Sequence, residues 1–199
     1  EGVEAGTEFL VFDVPEVGRF GVSICYDMWF PETSRTLTAL GAEVILCPVL
    51  TGTIDRDIEL SIARATAAMF QCYVFDINGL GAGGVGRSCV VDPTGSAMYQ
   101  AAGQEEMIAL EIDLQQVRRQ RVAGLHGLGQ PLKSFRDRSV TFPVYAPAGP
   151  HVDYLNSLGP LEMRRRGHHG GVDQAPPGPG NGSDDEQGPR SRVPLEADI

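Results

Sequence analysis

Lysine is almost missing from this sequence: of its 16 basic residues only Lys133 is a lysine, and the rest are arginine. Any chemistry that needs a lysine as acid, base or oxyanion partner therefore has one candidate. Long apolar runs are missing as well. None approaches the roughly 20 residues that span a bilayer, and the first turns of the chain carry acids where a secretory leader has a basic start and an apolar centre. The chain is read as soluble and cytoplasmic, with no membrane partner. Positive charge is scarce overall: 26 acids outweigh the bases and leave a formal charge of −10, which opposes binding to a phosphate backbone. Nucleic acid is not an expected partner. Paired cysteines are absent too. Cys25, Cys47, Cys72 and Cys89 stand singly, with no two-residue spacing of a zinc or redox motif. Three of them read as small core hydrophobes, and one does not. His168-His169 lacks further ligands at metal spacing, so no metal is expected. An initiator methionine is also missing, since residue 1 is Glu, and the reading is that the N-terminal part of a longer chain is missing here.

What is present is enough for a core. Of 199 residues, 42% are apolar, far above the level of a disordered chain. Residues 8–14 and 19–25 are β-rich runs joined by Pro15-Glu16-Val17-Gly18, which predicts an antiparallel hairpin. Pro31 opens a short helix that ends before Gly41. Residues 43–49 form a near-continuous apolar run, the pattern of a strand covered on both faces. Ile58, Ile62, Ala65 and Met69 recur at helical spacing and predict an amphipathic helix over 55–70. Residues 72–77, 87–91 and 107–112 read as strands, with Pro93-Thr94-Gly95 as a turn, and Asp113 caps a helix running to Arg121. Strands alternating with helices, mixed with hairpins, indicate an α/β layered sandwich.

The character changes after residue 122. Residues 123–162 carry Gly, Pro, Arg and scattered aromatics, the composition of an arm that packs on the domain or on a second subunit. Residues 163–199 are almost devoid of apolar side chains and are predicted to be disordered.

The sharpest local signal is Gly21-Val22-Ser23-Ile24-Cys25-Tyr26-Asp27-Met28-Trp29-Phe30-Pro31-Glu32. A strand delivers a cysteine to its end, and a proline-initiated helix starts a few residues later. Helix-terminal N–H groups nearby favour a thiolate and a developing oxyanion. Spacing alone leaves two readings of Cys25 open, a presented nucleophile and an inert core cysteine.

These residues resemble the nucleophile segment of the nitrilase superfamily of carbon–nitrogen hydrolases. The resemblance continues through Pro31-Glu32 and Arg35, Gly41 to Leu46, Arg64-Ala65, Tyr73-Val74, Asn78 and Ser88 to Gly95, in the family's order, and covers residues 1–122. It implies a four-layer αββα sandwich, with the N-terminal part missing here, that forms a homodimer or higher homo-oligomer. It implies cleavage of a small amide or carbamoyl compound through a cysteine acyl-enzyme, with no cofactor and no metal. Cys25 takes the nucleophile's position, and the Tyr26 backbone N–H that of an oxyanion donor. Tyr26-Asp27 after the cysteine is similar to amidases rather than to nitrile hydrolysers.

The family's base glutamate and its lysine precede the cysteine by more residues than this chain supplies. Lys133 matches the arm instead and reads as a solvated side chain. Glu1-Gly2 stands at the spacing of the family's second, orienting glutamate, so Glu1 reads either as that acid or as a frayed terminal residue. Losing one oxyanion donor costs roughly a hundred- to a thousandfold in rate, and the chain by itself is expected to be inactive. The alternative is a noncatalytic remnant or interaction module of the same fold.

Several other features weigh less. Thr51-Gly52-Thr53, at a strand end, is a candidate for lining the substrate pocket, with Thr51 as its contact. Gly81 to Gly86 has dinucleotide-loop spacing but is followed by a strand rather than a helix, so it lacks that mechanism and reads as a loop near the substrate mouth. Arg118-Arg119-Gln120-Arg121 reads as a solvated helix face, and Arg35 and Arg64 as buried ion-pair partners.

Overall fold

Pro15 and Gly18 turn the chain back on itself, and β1 (Val11–Val14) pairs antiparallel with β2 (Gly18–Val22), Phe12 opposite Phe20. The structure is a computed structural model and describes residues 6–52, 55–81 and 83–161. Glu1 and the segment 163–199 lie outside the described residues. Two units follow along the chain, one through Thr141 and one from Phe142.

In the first unit, α1 (Pro31–Ala39) carries Pro31 at its first position, and β3 (Val44–Val49), α2 (Asp55–Phe70) and β4 (Tyr73–Asn78) follow. The hairpin β5 (Leu80–Gly81) and β6 (Gly84–Val85) leads into β7 (Cys89–Val91) and β8 (Ala97–Gln100). Six strands form one sheet in the order β1-β2-β3-β4-β7-β8, with β2, β3 and β4 parallel and the other pairs antiparallel. Helix α3 (Leu114–Ala123) starts where predicted, Asp113 accepting the Gln115 N–H at 2.8 Å. Leu37, Ile45, Cys47, Ala63, Ala67, Phe70 and Val74 form the core between the sheet and α1 and α2. Val44, Tyr73, Leu114 and Val117 form a smaller core on the opposite face. The result is a mixed α/β fold, a sheet flanked by helices on both faces. Among the described residues no helix is long and apolar enough to cross a membrane.

Three local expectations are corrected. Residues 107–112 form no strand, and Met107 is wholly exposed. The edge of β7 is taken by β8, which a tight turn delivers first, with Asp92 Oδ1 accepting the Thr94 N–H at 2.7 Å. Helix α2 forms as predicted but turns another face inward. Ile58, Ala65 and Met69 are exposed, while Arg56, Glu59, Ala63, Thr66, Ala67 and Phe70 are buried. Alanine and threonine let the helix approach the sheet closely, and the two charged residues at its start, Arg56 and Glu59, pair with each other beside Asp76. On α3, Arg118 and Arg119 are exposed as expected, Arg118 Nε bonding Glu43 at 2.6 Å, but Arg121 is half-buried and donates to the carbonyls of Gln71 and Ala42. Burial holds the Arg121 pKa below its ordinary value.

Helix α4 (Pro131–Arg136) packs against α2 through a stack in which the Arg35 guanidinium lies 5.1 Å from the Phe70 ring and 4.3 Å from the Phe135 ring. Arg35 is thus held by aromatic faces, and Arg64 Nε donates to the Gly95 carbonyl at 3.0 Å. Neither makes the predicted ion pair among the described residues. In the second unit, α5 (Pro150–Ser157) follows a short turn in which the Phe142 and Tyr145 rings meet edge to face.

The buried ion pair belongs to Arg56. Its Nη1 lies 2.9 and 2.8 Å from the two carboxylate oxygens of Asp76 on β4 and 3.2 Å from Glu59 Oε2, and its Nη2 donates to the Arg87 carbonyl at 2.8 Å. Arg56 is 1% exposed and Asp76 0%. Burial opposes the guanidinium's charge, yet the Asp76 and Glu59 carboxylates hold its pKa above the ordinary value. Replacing Arg56 by Met leaves two carboxylates buried beside each other, and urea unfolding at pH 8 is expected to lose about 3–5 kcal/mol. On Asp76 only burial and the Glu59 charge then remain large, and both raise its pKa. The folded variant therefore binds a proton that the unfolded chain does not, so its deficit shrinks as pH falls toward about 4. A deficit that is the same at pH 8 and pH 5 would contradict this account.

Candidate active site

Three parallel strands point their C-terminal ends to one edge of the sheet. Beyond β2 comes Cys25, beyond β3 the loop Leu50-Thr51-Gly52, and at the end of β4 Asn78. Chain leaving the ends of parallel strands is where layered α/β folds place ligands. There a recess of about 320 Å³ is lined by Cys25, Tyr26, Trp29, Leu50, Thr51, Gly52, Asp55 and Glu59.

The turn that carries the cysteine is built locally. Ladder pairing ends with the Ser23 N–H on the Leu46 carbonyl, 3.0 Å, and a 3₁₀ turn spans Cys25–Trp29. Asp27 closes it reciprocally: its Oδ2 accepts the Ile24 N–H at 2.9 Å, and its own N–H donates to the Ile24 carbonyl at 3.1 Å. Met28, 5% exposed, pins the turn into the core. Cys25 is thereby held at φ +51°, in the left-handed region that a non-glycine residue enters at a cost of about 1–3 kcal/mol. Strain of this kind persists only where surrounding contacts over-determine it, as Asp27 and Met28 do here. The Tyr26 N–H, in the first turn of the 3₁₀ segment, makes no hydrogen bond among the described residues, as first-turn amides do. The Tyr26 ring stands at the rim, 6.2 Å from that of Trp29 and 5.3 Å from that of Phe30.

Cys25 alone of the four cysteines is partly exposed, while Cys47, Cys72 and Cys89 are 2% exposed or less. Burial pushes those three thiols up to about 12, which leaves them protonated and inert. A larger cavity, about 830 Å³, lies on the α3 face of the sheet beside Phe75, Ile77 and Ile108, but the cysteine on its wall is Cys89. Size favours that cavity, and chemistry favours the recess at Cys25.

Thr51 lies in the recess with every polar group engaged. The Asn78 side-chain amide clamps its backbone, Oδ1 accepting the Thr51 N–H at 2.8 Å and Nδ2 donating to its carbonyl at 2.9 Å. Its hydroxyl donates to Glu59 Oε1 at 2.8 Å. Glu59 is held in turn by Arg56, so the ion pair on Asp76 reaches the recess through one carboxylate. The hairpin β5–β6 closes over this loop, with the Val85 N–H on the Thr51 carbonyl at 3.1 Å. A Cβ on Gly52 would stand 2.0 Å from the Gly83 carbonyl oxygen, and one on Gly84 equally close to that of Gly79. Only glycine permits that approach. No helix follows the hairpin, so its spacing serves backbone packing beside the recess.

The structure thus brings Cys25, Tyr26 and Thr51 together, while Glu1 and Thr53 lie outside the described residues. Lys133 stands on α4, its Nζ donating to the Val122 carbonyl at 2.5 Å. Sequence reasoning missed Asp55, Arg56, Glu59 and Asp76. Their signal was legible: two charges three residues apart on a helix otherwise rich in alanine, and an aspartate inside an apolar strand.

The chain is similar to an (R)-stereoselective amidase of a Pseudomonas species, 36% identical over 110 residues, which are 52% of this chain and 39% of that protein. It is similar to the deaminated glutathione amidase of Bos taurus, 35% identical over 131 residues, 58% of this chain and 40% of that one. The chain spans about two fifths of the length of these curated relatives. Among solved structures, Saccharomyces cerevisiae Nit3, a member of branch 10 of the nitrilase superfamily, matches with a TM-score of 0.56 and 31% identity over 61% of this chain and 46% of its own. The carbon–nitrogen hydrolase pattern matches residues 2–122, and the chain belongs to that family, on the amidase-like branch of the nitrilase superfamily.

Proposed function

We propose that this chain carries the nucleophile-bearing part of a hydrolase that cleaves small amides through a cysteine acyl-enzyme. The observation that carries the reading is Cys25 itself, partly exposed at φ +51° on the rim of the recess while the other three cysteines are sealed in the core. In the proposed reaction Cys25 Sγ attacks the amide carbonyl carbon, and the Tyr26 N–H meets the oxygen as charge develops on it. The C–N bond then breaks, the amine leaves with the proton the thiol has given up, and water hydrolyses the thioester to the acid. The acid products and amine together account for the substrate and one water.

Amide turnover needs a proton carrier beside the sulfur, and the family resemblance adds a lysine beside the oxygen. The only lysine of the sequence is spoken for at Val122, and among the described residues no Lys, Arg or His lines the recess. The chain by itself is therefore proposed to acylate but not to turn over amides. An activated ester separates the two steps, because its leaving group needs no proton. With p-nitrophenyl acetate, peptide mapping is expected to find an acetyl thioester on Cys25, persistent over minutes and absent from Cys25→Ala. Short aliphatic amides are expected to release no ammonia above the Cys25→Ala background. An acetyl group on another residue, or none, would overturn the nucleophile assignment, and ammonia release would overturn the inactivity.

Iodoacetamide provides a second check. Cys25 is expected to alkylate at least about tenfold faster than Cys47, Cys72 or Cys89 in the folded chain, the difference collapsing in 8 M urea, because three thiols are buried and one is presented. The exposed row Ile58, Ala65 and Met69 on α2 supports a homo-oligomer that packs through helices, which sedimentation velocity would show as a species heavier than the monomer.

A further inference from the structure

Asn78 ends β4, is buried, and commits its whole side-chain amide to main chain. Its Oδ1 accepts the Thr51 N–H at 2.8 Å, and its Nδ2 donates to the Thr51 carbonyl at 2.9 Å and to the Gly86 carbonyl at 2.8 Å. The main chain of Asn78 is held in turn by one hydroxyl, Ser88 Oγ, which accepts the Asn78 N–H at 3.0 Å and lies 3.3 Å from the Asn78 carbonyl oxygen. Strands β3 and β4 run parallel up to the pair Val49 and Asn78. The Gly79 N–H on the Val49 carbonyl, 3.0 Å, is their last main-chain bond among the described residues. Beyond it Thr51 bonds the side chain of Asn78 where a continued ladder would bond main chain. The amide is a peptide-shaped insert, and it lets the chain after β3 part from β4 without orphaning a polar group.

The chain released in this way forms a wall of the recess. Leu50, Thr51 and Gly52 line it together with Cys25, and among the described residues Asn78 does not itself line it. Thr51 also meets the Val85 N–H at 3.1 Å and Glu59 Oε1 at 2.8 Å, but Asn78 alone holds both its N–H and its carbonyl. One acceptor and two donors in a plane match one N–H and two carbonyls. Alanine offers none of these, and an ionised aspartate offers acceptors only. We propose that Asn78 is a positioning residue for acylation of Cys25: it acts through the loop Leu50-Thr51-Gly52, fixing the wall against which the acyl group is oriented toward the sulfur. This deepens, and rests on, the reading that Cys25 is the acylated group. A wall displaced by about 1 Å costs up to roughly a hundredfold in rate, while the sulfur stays as exposed as before.

Two reagents that react with the same thiolate separate orientation from exposure. Iodoacetamide needs an accessible sulfur, whereas p-nitrophenyl butyrate also needs its carbonyl held against that sulfur. The quantity read on the whole chain is the ratio of butyrylation to alkylation rates at Cys25, assigned by peptide mapping, in which the thiolate fraction cancels. In Asn78→Asp at pH 8 this ratio is expected to fall at least about tenfold, with alkylation itself within about twofold of the unsubstituted chain. The new carboxylate would face the Thr51 and Gly86 carbonyls, with Glu59 beyond Thr51 and Arg56 already engaged by Asp76, Glu59 and the Arg87 carbonyl. Burial among those oxygens raises its pKa above the ordinary aspartate value. As pH falls it takes up a proton and regains a donor, and the ratio, relative to the unsubstituted chain, is expected to recover at least about threefold by pH 5.5. Val117→Ala, in the smaller core, is expected to lower the urea midpoint and leave the ratio within about twofold, which sets positioning apart from lost stability. Gly52→Ala displaces the same loop with Asn78 intact, because its Cβ would stand 2.0 Å from the Gly83 carbonyl oxygen. It is expected to lower the ratio as well, and it decides the matter if Asn78→Asp does not fold. An unchanged ratio in the folded variants, alkylation falling in step with butyrylation, or an equal fall in Val117→Ala overturns the proposal. Absence of butyryl at Cys25 in the unsubstituted chain instead defeats the nucleophile reading, whatever the variants do.

Discussion

Much of this structure hangs on the guanidinium of Arg56. It grips both oxygens of Asp76 at the middle of the sheet, takes Glu59 one turn along its own helix, and ties down the carbonyl of Arg87 where the chain leaves the glycine hairpin. A buried ion pair contributes little net stability, because desolvation offsets most of its attraction. Its effect is geometric. A planar fork with fixed donor directions allows one placement of α2 along β4, and that placement sets Glu59 under Thr51 and Asp55 at the mouth of the recess.

The second constraint is the end of β2. Once the Ser23 amide has joined the ladder, Asp27 folds the chain into a 3₁₀ turn and Met28 anchors it, so Cys25 is held in a left-handed conformation it would not choose. Both ends of the candidate site are therefore fixed by contacts that do not belong to it. The loop after β3 is fixed likewise, clamped by Asn78 from one side and covered by backbone at Gly83 and Gly84 from the other. A cysteine on a rigid strand end, beside a loop held on both sides, has the fixed placement that the proposed acyl transfer requires.

The hairpin at the start, the proline-initiated helix, the covered strand β3, the Asp113 cap and the presentation of Cys25 were all legible in the amino-acid sequence. Each depends on interactions within a few residues: a turn's backbone angles, a cap's single hydrogen bond, an apolar run of strand length. The inward face of α2 was not legible, because two rows of side chains share helical spacing and the sequence shows only that Ile58, Ala65 and Met69 form one of them. Which row is buried depends on Asp76, on a strand six residues beyond the helix's buried end at Phe70. Residues 107–112 have a strand's composition, yet β8 reaches the sheet edge first. The sequence by itself thus determined the family, the local elements and the nucleophile candidate. Only the tertiary structure decided which residues meet at the recess and the partners of Thr51, because groups far apart along the chain come within hydrogen-bonding distance only when folding brings them together.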